Sequence, residues 1–138
     1  ALPSACSGTR HIARHMARIL VIDDEATIRD NLVRFLTLEG HQVLQAEDGQ
    51  VGLEAIRTDQ PDLIFCDAMM PRLDGFAVLA ATQADPALRS IPFVFLSANA
   101  EPEKLAAALQ QGASGYVTKP FNLSQLRQLL ADQLPGPR

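Results

Sequence analysis

Four short stretches of this sequence hold side chains able to do chemistry together. Asp23, Asp24 and Glu25 stand in a row after the apolar run Ile19–Ile22. Asp67 follows Leu63–Cys66, Ser97 follows Phe93–Leu96, and Lys119 follows Gly115–Thr118. Taken singly, each has an ordinary explanation: a helix cap, a strand end, a turn hydroxyl, a solvated ammonium. Together they are carboxylates, one hydroxyl and one ammonium, each placed just past an apolar run. Clustered carboxylates repel one another unless a cation screens them, and hard oxygen donors with room for water suit Mg²⁺ or Mn²⁺. A metal, a lysine and a hydroxyl beside a carboxylate suit a phosphoryl group, whose oxygens the cations neutralise and the hydroxyl hydrogen-bonds. One carboxylate is then available as a nucleophile. The residues after the first run are Asp-Asp-Glu, not a glycine-rich phosphate loop, so nucleotide binding is disfavoured.

The apolar runs must be strands for these residues to meet. Residues 18–24, 62–67 and 91–97 are short, apolar and rich in β-branched or aromatic residues, which predicts buried strands. Residues 41–47 are mixed in polarity, which suits an edge strand, and 114–118 form a fifth. Between them lie helical stretches. Residues 25–38 carry Ile28, Leu32, Phe35 and Leu36 at helical spacing, with Gly40 as the stop. Residues 51–58 and 76–83 are short helices, the first preceded by an Asp48-Gly49 turn. Residues 102–111 begin with Pro102 in the first turn and end at Gly112. A last helix is capped by Asn122, with Gln125 three residues on and Leu126, Leu129 and Leu130 facing the core. Strict alternation of five strands and five helices implies a parallel sheet covered on both faces, with right-handed crossovers. In such a sheet every carboxyl end points to one edge, where ligands bind. His41 falls at the opposite end, which disfavours zinc.

Composition narrows the rest. A chain of 138 residues accommodates one compact domain and not two. With 47% hydrophobic and 20% charged residues it is not a disordered chain. No apolar run approaches the roughly 18 residues needed to span a bilayer. A net charge of −4, no Trp and one Tyr argue against nucleic-acid binding by this domain. Residues 1–15 have no apolar period, no acid and no signal-peptide core, and Met16 directly precedes a strand, so they read as a tag. The remainder carries 10 basic against 16 acidic side chains, a balance of −6, and retains only Cys66, which is expected to be buried. One buried cysteine suits a reducing cytoplasm. Residues 16–134 form the expected domain, and 135–138 a tail or the start of a linker.

At this point the sequence resembles the receiver (CheY-like) domain of two-component response regulators. The motifs are VIDDE at 21–25, DAMMPRLDG at 67–75, SAN at 97–99 and GYVTKPF at 115–121, in the order and spacing of such domains. The resemblance implies a flavodoxin-like (βα)5 fold with strand order 2-1-3-4-5. It implies that Asp67 accepts a phosphoryl group from a histidine kinase or phosphotransfer protein. Asp24 would bind Mg²⁺ directly, Asp23 mostly through water, and the Met69 backbone carbonyl would complete the protein's ligands with Asp67. Lys119 would pair with Asp67 and then with the phosphoryl oxygens. Ser97 would swing toward that group and Tyr116 would turn inward behind it. The Lys119–Pro120 peptide would be cis, and Pro71, Asp74 and Gly75 would shape the adjoining loop. Met69 and Asn99 would govern hydrolysis by controlling how the attacking water is held. The face of the fourth helix, fifth strand and fifth helix would meet an effector, a fused output domain or a second copy.

Two rivals use the same residues differently. A Mg²⁺-dependent phosphatase of the haloacid dehalogenase type would use Asp67 as nucleophile, but needs a second acid where Met69 stands. A flavin carrier of this architecture would need a phosphate loop where Asp23 and Asp24 would repel the ligand. The favoured reading is a signalling module rather than an enzyme.

Overall fold

The computed structural model describes residues 16–98 and 102–134. The expected tag at 1–15, Asn99 and the tail at 135–138 lie outside the described residues.

Strand β1 (Arg18–Ile22) is followed by helix α1 (Ala26–Leu38), β2 (Gln42–Ala46), α2 (Gly49–Asp59) and β3 (Leu63–Asp67). Then come α3 (Gly75–Ala84), β4 (Phe93–Ser97), α4 (Pro102–Gln110), β5 (Gly115–Thr118) and α5 (Leu123–Gln133). The five strands form one parallel sheet in the order β2-β1-β3-β4-β5. The three most apolar strands are therefore central and the mixed β2 is an edge, as their composition requires.

Side chains alternate across the sheet, so each central strand feeds two cores. Leu20, Ile22, Ile64, Cys66, Phe93 and Phe95 pack on one face with Ile56 of α2, Val78 and Leu79 of α3 and Ala108 of α4. Ile19, Val21, Leu63, Phe65, Val94 and Leu96 pack on the other with Leu32 and Leu36 of α1 and Leu126 and Leu130 of α5. Each of these central strands is buried on both sides, which is why its run is continuously apolar rather than alternating.

Local chemistry sets the ends of the helices. Gly40, at φ 97°, takes the left-handed position that stops α1, and the His41 N–H closes back on the Leu36 carbonyl at 3.2 Å. Asn122 caps α5, accepting from the Gln125 N–H at 3.1 Å. Helix α2 begins two residues before the predicted start. The Asp48 carboxylate accepts the Val51 N–H at 2.9 Å, so Asp48-Gly49 is the cap and first helical residue rather than a separate turn. His41 lies at the amino end of β2, where its Nδ1 accepts the Ala17 N–H at 3.1 Å.

Gly75, at the start of α3, lies in tight contact with the loop that follows β3. A methyl group there would meet the Asp67 carbonyl oxygen and the Ala68 Cα. Gly75→Ala is expected to cost about 1–3 kcal/mol through overpacking. Gly115→Ala adds a methyl into open space and should change stability by less than about 0.5 kcal/mol. Urea unfolding of the two variants beside the parent checks this contrast; equal midpoints would remove the steric argument.

Candidate functional site

The carboxyl ends of β1, β3, β4 and β5 bring Asp23, Asp67, Ser97 and Lys119 to one edge of the sheet. Asp23 follows β1 and is fully buried. Its N–H donates to the Ala46 carbonyl at 3.1 Å, and its Oδ1 accepts the Glu25 N–H at 2.9 Å. That bond satisfies the N–H of Glu25, the cap residue of α1, whose own side chain makes no capping bond. Arg29, one turn into α1, holds the same corner from the other side. Its Nη1 donates to the Asp23 carbonyl at 2.7 Å and its Nε to Gln45 Oε1 at 3.2 Å.

Asp67 ends β3 at 6% exposure. Its Oδ1 accepts the Met69 N–H at 3.3 Å. Lys119 follows β5; its N–H donates to the Ser97 carbonyl at 2.8 Å, and the peptide joining it to Pro120 is cis. Its ammonium reaches Asp23 Oδ2 at 3.0 Å, Asp67 Oδ2 at 3.4 Å and Glu25 Oε1 at 3.5 Å. The contact with Asp23 is an ion pair whose angles are not those of a hydrogen bond, so among the described residues Asp23 Oδ2 has no hydrogen-bond donor.

The surrounding loop is shaped by the residues its sequence singled out. The Leu73 N–H closes a turn onto the Pro71 carbonyl at 2.9 Å. Asp74 caps α3 through the Ala77 N–H at 2.9 Å, and the Gly75 N–H returns to the Ala68 carbonyl at 3.0 Å. Ser97 is buried at the end of β4, whereas Tyr116 on β5 faces outward at 42% exposure. Met69 is exposed at the rim and Met70 is packed in the core.

Two placements differ from the expected site. Asp24 is exposed, and its carboxylate is not among the gathered oxygens. Glu25 stands there instead: Asp23, Glu25 and Asp67 each offer a carboxylate oxygen within 4.8 Å of the others. Arg29 joins Glu25 as a residue given no role from the sequence. A long cationic side chain in a first turn leans back toward the helix N-terminus, and that was the available signal.

The oxygens fit a divalent cation. An unpartnered buried carboxylate oxygen beside two further carboxylates is a hard, anionic donor set with no nitrogen or sulfur ligand, suited to Mg²⁺ or Mn²⁺. The electrostatics agree. Burial, then the neighbouring Asp23 charge, push the Asp67 carboxyl up to about 6, while Lys119 and the Met69 N–H hold it down. Burial works to lower the Lys119 ammonium, yet Asp23, Asp67 and Glu25 outweigh it and raise it above its ordinary value. The Cys66 thiol is pushed well up, chiefly by burial and then by nearby carboxylates, so it stays protonated.

A doubly wound parallel sheet with a buried acid pair, a lysine and a hydroxyl at its carboxyl edge defines a class of α/β modules whose site lies where the strands end. Comparison with known proteins narrows that class. Residues 19–131 match the model of the response regulator receiver domain. The chain is 40% identical over 112 residues to the response regulator MprA of Mycolicibacterium vanbaalenii, covering 79% of this chain and 46% of that protein. The MprA protein of Mycobacterium ulcerans is 41% identical over the same shares. Among solved structures, the chemotaxis protein CheY4 of Vibrio cholerae superposes with a TM-score of 0.81 at 31% identity, over 86% of this chain and 99% of that one. NtrX of Brucella abortus gives 0.79 at 34% identity, but only 27% of its chain is covered. This chain belongs to the receiver-domain family of two-component response regulators, a signalling rather than a catalytic enzyme family. It spans about half the length of the curated relatives it matches. No helix among the described residues is long and apolar enough to cross a membrane.

The raised Asp67 carboxyl makes stability depend on pH with a definite sign. In the unfolded chain Asp67 returns to the ordinary carboxylate range near 4. Between about 4 and about 6 the folded chain holds a proton that the unfolded chain has lost, so this group's contribution falls as pH rises through that window. Above it, the buried charge is a cost on the order of 2 kcal/mol. Asp67→Asn is therefore expected to be more stable than the parent at pH 7.5 in chelator, with the advantage shrinking toward pH 4. Urea unfolding at both pH values measures it, and a variant less stable at pH 7.5 would contradict the cause given.

Proposed function

We propose that this domain is a phosphorylation-dependent switch in which Asp67 accepts a phosphoryl group from a histidine kinase or phosphotransfer protein. The observation that carries the reading is the Asp67 carboxylate itself: almost fully buried, 3.4 Å from the Lys119 ammonium, and grouped with an unpartnered Asp23 oxygen. At neutral pH it lies above its titration near 6 and is ionised, as a nucleophile must be. One Asp67 oxygen forms the bond to phosphorus while the phosphorus–nitrogen bond to the donor imidazole breaks, and the departing nitrogen regains a proton. Lys119 offsets the charge on the transferred group, and the Ser97 hydroxyl donates to one of its oxygens.

Asp23, Asp24 and Asp67, with the Met69 carbonyl, would hold Mg²⁺, which when bound neutralises phosphoryl oxygens that would otherwise face an acidic pocket. Asp24 joins this set by the family resemblance. A groove of about 370 Å³ beside Lys119, lined by Ile28, Asn31, Ala98 and Phe121, gives a donor room to approach. After transfer, Ser97 is held toward the phosphoryl group and Tyr116 fills the space behind it. The face of α4, β5 and α5 is thereby biased toward an effector, an output domain or a second copy. The match to about half of each MprA relative supports an output domain in the parent protein. A reducing cytoplasm suits the free, buried Cys66. The phosphatase alternative is disfavoured because the exposed, apolar Met69 stands where its second acid is required.

The test is intact mass after incubation with Mg²⁺ and a small phosphodonor. The parent is expected to gain one acid-stable, base-labile phosphate that EDTA prevents and Asp67→Asn lacks; no gain by the parent would overturn the reading. Met69→Asn, which puts a hydrogen-bonding side chain at the rim, is expected to shorten the phosphorylated lifetime several-fold. An unchanged decay rate would remove Met69 from the control of hydrolysis.

A further inference from the structure

We infer that Glu25 is a resting-state counter-ion of Lys119 that restrains phosphorylation and gives up its contact when a phosphoryl group arrives. The inference rests on the reading of Asp67 as phosphoacceptor and concerns a residue to which that reading assigns no role.

The Lys119 ammonium has three N–H bonds and three carboxylate neighbours, Asp23, Asp67 and Glu25, at 3.0, 3.4 and 3.5 Å. Carboxylates crowd the ammonium, with Glu25 Oε1 accepting a hydrogen bond and Asp23 and Asp67 within ion-pair distance, so a phosphoryl oxygen gains this cation more readily once a contact is released. The three are not equally free to leave. Asp23 is fully buried, and its other oxygen is tied to the Glu25 N–H. Asp67 is itself the attacking group and nearly buried. Glu25 makes the longest contact, and its side chain is 59% exposed. Water can solvate its carboxylate once it swings out, so its release costs little.

The unpartnered Asp23 Oδ2 beside the same ammonium points to the same conclusion. The ammonium donates to the exposed Glu25 Oε1, whereas Asp23 Oδ2 at 3.0 Å accepts no hydrogen bond from it, so Glu25 draws it toward solvent. This tether slows transfer, and it is carried by a residue that touches neither phosphorus nor nucleophile. Glu25 is therefore a positioning residue, acting through Lys119.

The test follows phosphorylation by acetyl phosphate at saturating Mg²⁺, read by rapid quench and intact mass. Glu25→Gln is expected to raise the rate constant about two- to fivefold, the effect of releasing one partly exposed ion-pair contact. Its melting temperature should match the parent because the side chain is exposed. The double-mutant cycle supplies the readout that a general loosening would not move. In a Lys119→Met background, Glu25→Gln should leave the rate unchanged. A rate equal to or below the parent's in the single variant overturns the inference. So does an acceleration that persists without Lys119, which would mean a field effect rather than a tether. If the parent itself takes up no phosphate, the function proposed above fails; if the parent reacts and Glu25→Gln does not accelerate it, only the role of Glu25 fails.

Discussion

Lys119 sits among Asp23, Glu25 and Asp67 with only 7% of its side chain exposed, and most of the site follows from that crowding. Three carboxylates and one ammonium leave a net negative pocket in partly desolvated surroundings. Such a pocket is costly unless more positive charge arrives. The same imbalance that pushes Asp67 up also makes the site receptive to a divalent cation. A structural reading of these acids as mere strand ends and caps does not explain why they are held so close together.

The fold exists, in this light, to hold like charges at one edge. Parallel strands with right-handed crossovers send every carboxyl end the same way. Because β1 and β3 are neighbours, Asp23 and Asp67 are delivered side by side; because β4 and β5 follow, Ser97 and Lys119 flank them. The two apolar cores on either face make the sheet stiff enough to sustain the repulsion. Corner contacts refine it: Arg29 grips the Asp23 carbonyl, and Gly75 lets the loop after β3 fold back against Asp67.

Much of this was legible from one dimension. Continuous apolar runs marked the three central strands, and the mixed His41–Glu47 stretch marked an edge, because burial on two faces or one leaves different patterns. Asn122 and Gly40 announced helix ends by side-chain and backbone chemistry that acts over three or four residues. The start of α2 was misplaced by two residues, since Asp48-Gly49 serves equally as a turn or as a cap and first helical residue. Glu25 was named without a role, and Arg29 was not singled out, for a different reason. Their parts depend on partners 94 and 16 residues away in Lys119 and Gln45, separations at which local pattern carries no information.

The sequence by itself determined the alternation of elements, the residue types at each strand end and hence the kind of chemistry on offer. Those depend on periodicity and composition, which are local properties. Only the tertiary structure decided which acid of the Asp23-Asp24-Glu25 row turns inward, and it brought Glu25 rather than Asp24 to Lys119. It also left Tyr116 facing outward and set Cys66 behind the acidic edge, too buried to ionise. Side-chain direction at a strand-to-helix corner depends on where the next strand and its lysine arrive, and that is known only once the sheet has closed around it.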